Sequence, residues 1–163
     1  GPKVSVANNV RIKAFSHLED CQIADGADIG PYARLRPGAD IGEQARIGNF
    51  VEVKKTRVGK GSKINHLSYV GDGDIGEGVN IGAGTIFCNY DGYDKHATII
   101  GDGAFVGSNT TIVAPAKIGA NALIAAGSVV TKEAPADALY VTRMKPMIKE
   151  GWVTSFQEKK TKK

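Results

Sequence analysis

The sequence predicts an all-β fold, a parallel β-helix, on three observations: an apolar residue at every sixth position, glycines set directly after many of these residues, and β-branched side chains dominating among them. The series begins Val6, Ile12, Leu18, Ile23 and ends Ile118, Ile124, Val130, with Phe87 and Tyr93 as its aromatic members. Of its 21 steps, 17 are six residues long, three are five and one is seven. Such a period fits neither the 3.6-residue turn of a helix nor a plain strand alternation sustained over 125 residues. Ten of the 22 anchors are followed directly by Gly, among them Gly30, Gly48, Gly59, Gly82 and Gly107. Val and Ile suit short strands, and Gly suits corners where the backbone approaches a neighbour closely.

Each element follows from that period. Gly1-Pro2 reads as a protease-cleavage scar on an excised fragment of a longer protein, and the β-helix domain is assigned to residues 3–132. Three hexapeptides close a triangular coil of about 18 residues, giving roughly seven coils. At ~4.8 Å per paired strand the prism is about 30–35 Å tall. The five-residue steps Leu18 to Ile23, Val53 to Val58 and Val70 to Ile75 are tightened corners. The seven-residue step follows Asn89-Tyr90-Asp91-Gly92-Tyr93, whose Asn-Tyr-Asp-Gly is turn chemistry, so a loop protrudes there. A loop on a rigid repeat scaffold is where function concentrates, although a tolerated surface insertion has the same signature. After Val130 the repeat is expected to stop, because Pro135 cannot donate to a ladder. Residues 133–163 then form a C-terminal arm and basic tail. In it, Leu139-Tyr140-Val141-Thr142-Arg143 packs across the last coil or a neighbouring subunit, and the lysine-rich end is disordered.

Composition narrows the class. Only 7% of residues are aromatic, as suits a narrow prism filled by Ile, Val and Ala. The net charge of +4 owes much to the tail Glu158-Lys159-Lys160-Thr161-Lys162-Lys163. No aromatic and basic interleaving points to nucleic acid, and no apolar stretch is long enough to span a membrane. Cys21 and Cys88 form no CxxC motif, which fits a reducing cytoplasm better than a disulfide scaffold.

A solenoid turns sequence separation into stacking. Leu35, Val53, Val70 and Phe87 share one column, so Arg36 and Lys54 project from adjacent coils about 5 Å apart. That pair reads as a phosphate clamp or, equally, as a solvated cationic ridge relieved by Glu52. His66, in Asn65-His66-Leu67-Ser68-Tyr69, lies at a corner near Arg36, Lys54 and Glu52. A carboxylate there orients it as a general base, or it is only a corner residue.

Several stretches resemble one family closely: Ile29-Gly30-Pro31-Tyr32-Ala33-Arg34-Leu35-Arg36-Pro37-Gly38, Ile47-Gly48-Asn49-Phe50-Val51-Glu52-Val53-Lys54, Asn65-His66-Leu67-Ser68-Tyr69, Val79-Asn80-Ile81-Gly82-Ala83-Gly84-Thr85, Cys88-Asn89-Tyr90-Asp91-Gly92 and Lys149-Glu150-Gly151-Trp152. The chain is similar, over nearly its whole length, to the C-terminal acetyltransferase domains of bacterial bifunctional N-acetylglucosamine-1-phosphate uridyltransferases/glucosamine-1-phosphate acetyltransferases. The resemblance implies a left-handed β-helix, against the usual right-handed crossover. It implies a cytoplasmic homotrimer with active sites between subunits. The reaction it implies moves acetyl from acetyl-CoA to the amine of glucosamine 1-phosphate. The product, N-acetylglucosamine 1-phosphate, feeds UDP-N-acetylglucosamine, peptidoglycan and lipopolysaccharide synthesis. On the family pattern His66 is the base and Glu52 its orienting partner. Arg36, Lys54, Tyr69, Asn80 and Lys95 match sugar-phosphate positions. Ala83, Asn89, Tyr90, Ser108, Ala126 and Arg143 match acetyl-CoA positions, several through backbone atoms. No metal is implied for this part of the family, magnesium serving only the uridyltransferase domain, whose motifs are missing from this chain.

Three rivals are weighed against this. A zinc hydratase on a similar prism needs three His ligands, but His17, His66 and His96 have no paired ligand spacing. A non-enzymatic solenoid calls for regular Thr ladders, and only short runs such as Thr110-Thr111 occur. A related acetyltransferase with a hydroxyl acceptor remains the serious alternative.

Overall fold

The computed structural model describes residues 1–161 and is a parallel β-helix. Strands of two to seven residues stack coil on coil in two sheets, one of eight strands and one of twelve. The eight-stranded sheet is one face of the prism, carrying Ile12, Ile29, Ile47, Ile64, Ile81, Val106 and Ile124 in register. The larger sheet supplies both other faces, because Glu52–Val58 and Tyr69–Ile75 run around a corner and pair on either side of it. These two strands hold two of the five-residue steps. Lys55 and Asp72 turn the corner at φ 44° and 53°. Thr56 fills it from inside, its hydroxyl donating to the Lys54 carbonyl at 2.9 Å and accepting from the Gly73 N–H at 3.0 Å.

The anchors make the core. Ile29, Leu35, Ile41, Ile47, Val53 and Ile64 are wholly buried, and Phe87 nearly so. Full burial of one such side chain is worth about 1.5–3 kcal/mol, and each coil realises it only against its neighbours. Gly48 shows why glycine follows an anchor: a Cβ there would overlap the Asn65 carbonyl of the next coil.

Three expectations are corrected. Tyr93 is not an anchor; it is 92% exposed at the tip of the loop. Ile75 pairs directly with Ile100, 25 positions on, where the other rungs of that column from Val6 to Ile118 are 17 or 18 apart. The insertion is a small hairpin closed by a Tyr90–Lys95 bridge. Its fold is fixed by Asp91, which accepts from the N–H groups of Tyr93 and Asp94 and pairs with His96 Nε2 at 2.7 Å. These bonds hold the Asp91 carboxyl well below the usual range, the Asp94 N–H contributing most and His96 next.

The repeat also does not stop at Val130. Ala134 bridges to Ile118, and Leu139–Tyr140 pairs with Leu123–Ile124, so a further rung forms beyond residue 132. Pro135 is accommodated because it sits at the corner, where its carbonyl accepts from Ala138 and no donor is needed. The arm then lies on this last coil. Thr142 Oγ1 accepts from the Val129 N–H at 2.7 Å, and Tyr140 Oη accepts from the Thr131 N–H at 3.2 Å. Finally, the lysine-rich end is a helix, Trp152–Thr161, not a disordered tail, although none of its residues is buried. Trp152 and Phe156 stack one turn apart at 5.1 Å, and Lys159 and Lys160 complement the last turn. Lys162 and Lys163 of the expected tail lie outside the described residues.

Candidate active site

His66 stands at the corner that follows the eight-stranded face. Two residues past successive anchors, Asn49, His66, Ala83, Ser108 and Ala126 fall in one column. One position further on, the left-handed corner residues change character along the prism. Phe15, Tyr32, Phe50 and Leu67 are bulky, whereas Gly84, Asn109 and Gly127 are small or polar. The three aromatic rings stack at 4.9 and 5.3 Å and form an exposed ridge that ends beside His66. Past His66 the corner narrows to a bare ledge. There the carbonyls of His66, Ala83 and Ser108 are taken by the next coil, and that of Ala126 by the Arg143 guanidinium at 3.1 Å. Among the described residues no protein acceptor takes the N–H groups of Ala83, Ser108 and Ala126.

The partner of His66 is Asn49. His66 Nδ1 lies 2.7 Å from Asn49 Oδ1. An amide oxygen only accepts, so Nδ1 donates, and in the neutral imidazole Nε2 keeps its lone pair. Glu52, expected to orient the imidazole, instead binds Arg36 at 2.8 Å and Arg34 at 3.5 Å. The reason is register: Glu52 lies on the next face, opposite Arg34 and Tyr69, while Asn49 is directly opposite His66.

On that face the expected sugar-phosphate residues converge. Arg36 and Lys54 occupy adjacent rungs. Lys54 Nζ lies 3.3 Å from Asp72, whose same carboxylate oxygen accepts from Asn89 Nδ2. Asn89 also reaches the Tyr69 hydroxyl at 3.4 Å. The loop brings Lys95 onto Lys54, and that contact lowers the Lys95 ammonium from its usual range. Arg34 and Arg36 pair with Glu52 and Lys54 with Asp72, while Lys95 has both Lys54 and Lys55 near it, so positive charge is in excess on this face. Glu52 relieves part of this ridge.

Other expected residues stand apart. Asn80 projects from the eight-stranded sheet, a different face from Lys54 and Tyr69. The Tyr90 hydroxyl is spent inside the loop on the Gly92 carbonyl at 2.6 Å. Asn49 and Asp72 were not foreseen, though counting one coil of 17 or 18 residues from His66 and Lys54 finds both. The surface cavities beside Asn9 and Arg46, Lys3 and Asp40, and Gly42 and Lys60 are lined by none of these residues. Among the described residues no three His, Cys, Asp or Glu side chains cluster as for a metal. Nor is any helix long and apolar enough to cross a membrane.

Residues 97–132 match the family model for bacterial transferase hexapeptide (six repeats). The chain is 54% identical, over its full length, to the bifunctional protein GlmU of Zymomonas mobilis, covering 36% of that protein. It is 58% identical over 90% of its length to the bifunctional protein GlmU of Cellvibrio japonicus, covering 32%. The chain therefore spans about a third of the length of the curated relatives it matches. Among solved structures, a mutant perosamine N-acetyltransferase from Caulobacter crescentus, in complex with CoA and GDP-perosamine, shares the fold. Its TM-score is 0.55 at 22% identity, over 78% of this chain and 57% of that one. With the six-residue period, the stacked coils and relatives more than half identical along the chain, the protein belongs to the hexapeptide-repeat transferases, as a homologue of the C-terminal part of the bifunctional protein GlmU.

Proposed function

We propose that the chain transfers acetyl from acetyl-CoA to the amine of glucosamine 1-phosphate, releasing CoA and N-acetylglucosamine 1-phosphate. The observation that carries this reading is the pairing of one imidazole, His66 with Nδ1 held by Asn49, with an adjoining cationic cluster. Arg36, Lys54 and Lys95 hold the phosphate, and Tyr69 and Asn80 the sugar. The ledge of N–H donors at Ala83, Ser108 and Ala126 takes the extended acetyl-CoA, helped by Asn89, Tyr90 and Arg143.

Chemistry follows from these parts. An ammonium cannot attack a thioester, so the amine reacts as the free base, and His66 Nε2 accepts a proton from it as nitrogen adds to the carbonyl carbon. Backbone donors stabilise the oxyanion. Collapse breaks the C–S bond, and the imidazolium returns its proton to the leaving sulfur. No Cys or Ser nucleophile and no metal enter the step.

The working form is a homotrimer with sites between subunits, in the cytoplasm. Asn80 lies on a different face from Lys54 and Tyr69, which supports a site assembled from more than one copy. Sedimentation is expected to give a trimer; a fully active monomer would refute it. Thiol release from acetyl-CoA with glucosamine 1-phosphate tests the reaction. Faster turnover with a hydroxyl acceptor such as serine would favour a related O-acetyltransferase instead.

A further inference from the structure

Lys54 is largely withdrawn from water, its side chain 11% exposed, and a cation so placed needs a counter-charge. Asp72 supplies it from a left-handed corner at φ 53°, a conformation that Asp and Asn tolerate better than other side chains. The same Asp72 oxygen accepts from Asn89 Nδ2, and Asn89 in turn reaches the Tyr69 hydroxyl. One carboxylate thereby ties together the strand Glu52–Val58, the strand Tyr69–Ile75 and the start of the protruding loop. Lys95, at the other end of that loop, lies against Lys54, with Lys55 and Asp72 as the further charges acting on it.

We propose that Asp72 is a positioning residue of the acetyl-transfer site: its carboxylate fixes Lys54 and Asn89 relative to each other and balances the Lys54–Lys95 pair until the sugar phosphate arrives. The identity of that phosphate rests on the function proposed above; the geometry of the cluster does not. Lys54, Lys95 and the nearby Lys55 around one carboxylate leave positive charge over, which an arriving phosphate neutralises. Without Asp72, two ammonium groups meet with no counter-charge between them. They separate, or one sheds its proton, and Asn89 loses its strong acceptor. Lys54 and Lys95 belong to the sugar-phosphate set and Asn89 to the acetyl-CoA set, so Asp72 holds the two halves of the site in one frame.

Asp72→Asn tests this, because it keeps the shape and the left-handed preference and removes only the charge. The first readout needs no activity: the pH dependence of Lys95 reactivity, by competitive labelling with acetic anhydride and mass spectrometry on the unliganded protein. Asp72 favours the charged form of Lys95, so its loss is expected to move the Lys95 midpoint to lower pH. An unchanged midpoint overturns the proposal. The second readout is kinetic. kcat/KM for glucosamine 1-phosphate is expected to fall about tenfold, mostly through KM, as for one lost charge-assisted contact, while glucosamine changes less than about twofold. Equal losses with both acceptors overturn the positioning role. If Asp72→Asn does not fold, Lys54→Met leaves Asp72 with Lys95 as its remaining lysine, and the Lys95 midpoint is expected to rise. A midpoint that stays put sinks the proposal. Wild-type protein inactive on both acceptors would remove the proposed function and leave the Lys95 titration to decide the role of Asp72.

Discussion

Replacing Arg36 by Ala changes two charges as seen by the sugar phosphate. It deletes a guanidinium, and it uncovers a carboxylate, because Glu52 bonds Arg36 at 2.8 Å and keeps only the weaker Arg34 contact at 3.5 Å. Loss of a charge-assisted contact costs about 1.5–3 kcal/mol. A carboxylate ~6 Å from a phosphate charge, at an effective dielectric of ~20, repels by about 3 kcal/mol. The Glu52 side chain is 30% exposed, so solvent and salt reduce that term to roughly half. The sum, about 3–4 kcal/mol, is two to three decades in kcat/KM for glucosamine 1-phosphate. The carboxylate term alone is removed in Arg36→Ala/Glu52→Gln, so the double variant is expected to regain about one decade. Glu52→Gln by itself should stay within a few-fold of wild type, since it frees two arginines and leaves the His66–Asn49 bond untouched. The assay is thiol release at saturating acetyl-CoA, repeated with glucosamine to isolate the phosphate. If Glu52→Gln alone lost two decades and gave no rescue in the double variant, Glu52 would be acting on His66 or on the reacting atoms, and the charge accounting would be wrong.

Other perturbations follow from the same geometry. Asn49→Ala removes the acceptor that fixes the His66 tautomer; kcat is expected to fall about tenfold to a hundredfold with little change in the KM for acetyl-CoA, and an unchanged kcat would contradict the assignment. Asp91 is held below the ordinary carboxylate range, so its contribution to loop order is present above about pH 4 and lost as pH falls through its depressed folded value. Hydrogen exchange at Tyr93 and Asp94 should therefore be protected at neutral pH and accelerate, relative to the intrinsic rate, only under strong acid; loss of protection near pH 5 would contradict it. Gly48→Ala forces a Cβ into the Asn65 carbonyl beside Asn49 and His66, so a loss of about 1–3 kcal/mol in stability is expected by thermal melting, with reduced activity. A variant as stable and active as wild type would show the two coils free to move apart.

The fold was legible because the period is carried by side chains that the prism buries. The six-residue spacing placed Leu35, Val53, Val70 and Phe87 in one column, and the registers agree. Spacing misled where it was satisfied by accident or broken by a small residue. Tyr93 occupies a six-residue slot but sits at the loop tip, because the Asp91 turn takes the chain out of the ladder. Ala134 comes four residues after Val130, so the final rung hid behind an irregular step and a proline. In the site, the cationic column was readable from charge and register. The partner of His66 was not, because a carboxylate on the adjacent face looked chemically apt while the true neighbour, one coil back, was a neutral amide. The helix Trp152–Thr161 had a signal that was passed over, the Trp152 and Phe156 pair four residues apart ahead of a basic last turn.

The central claim is that His66 takes the amine proton, and kcat of His66→Ala across pH tests it most directly. His66 sits at an exposed corner, so the variant should keep its fold, assembly and CoA affinity, while kcat falls by roughly 10²–10⁴-fold near neutral pH. The defect should shrink as pH rises and free amine becomes abundant. A His66→Ala protein with near-normal kcat at every pH would contradict the account and leave the base to be sought elsewhere.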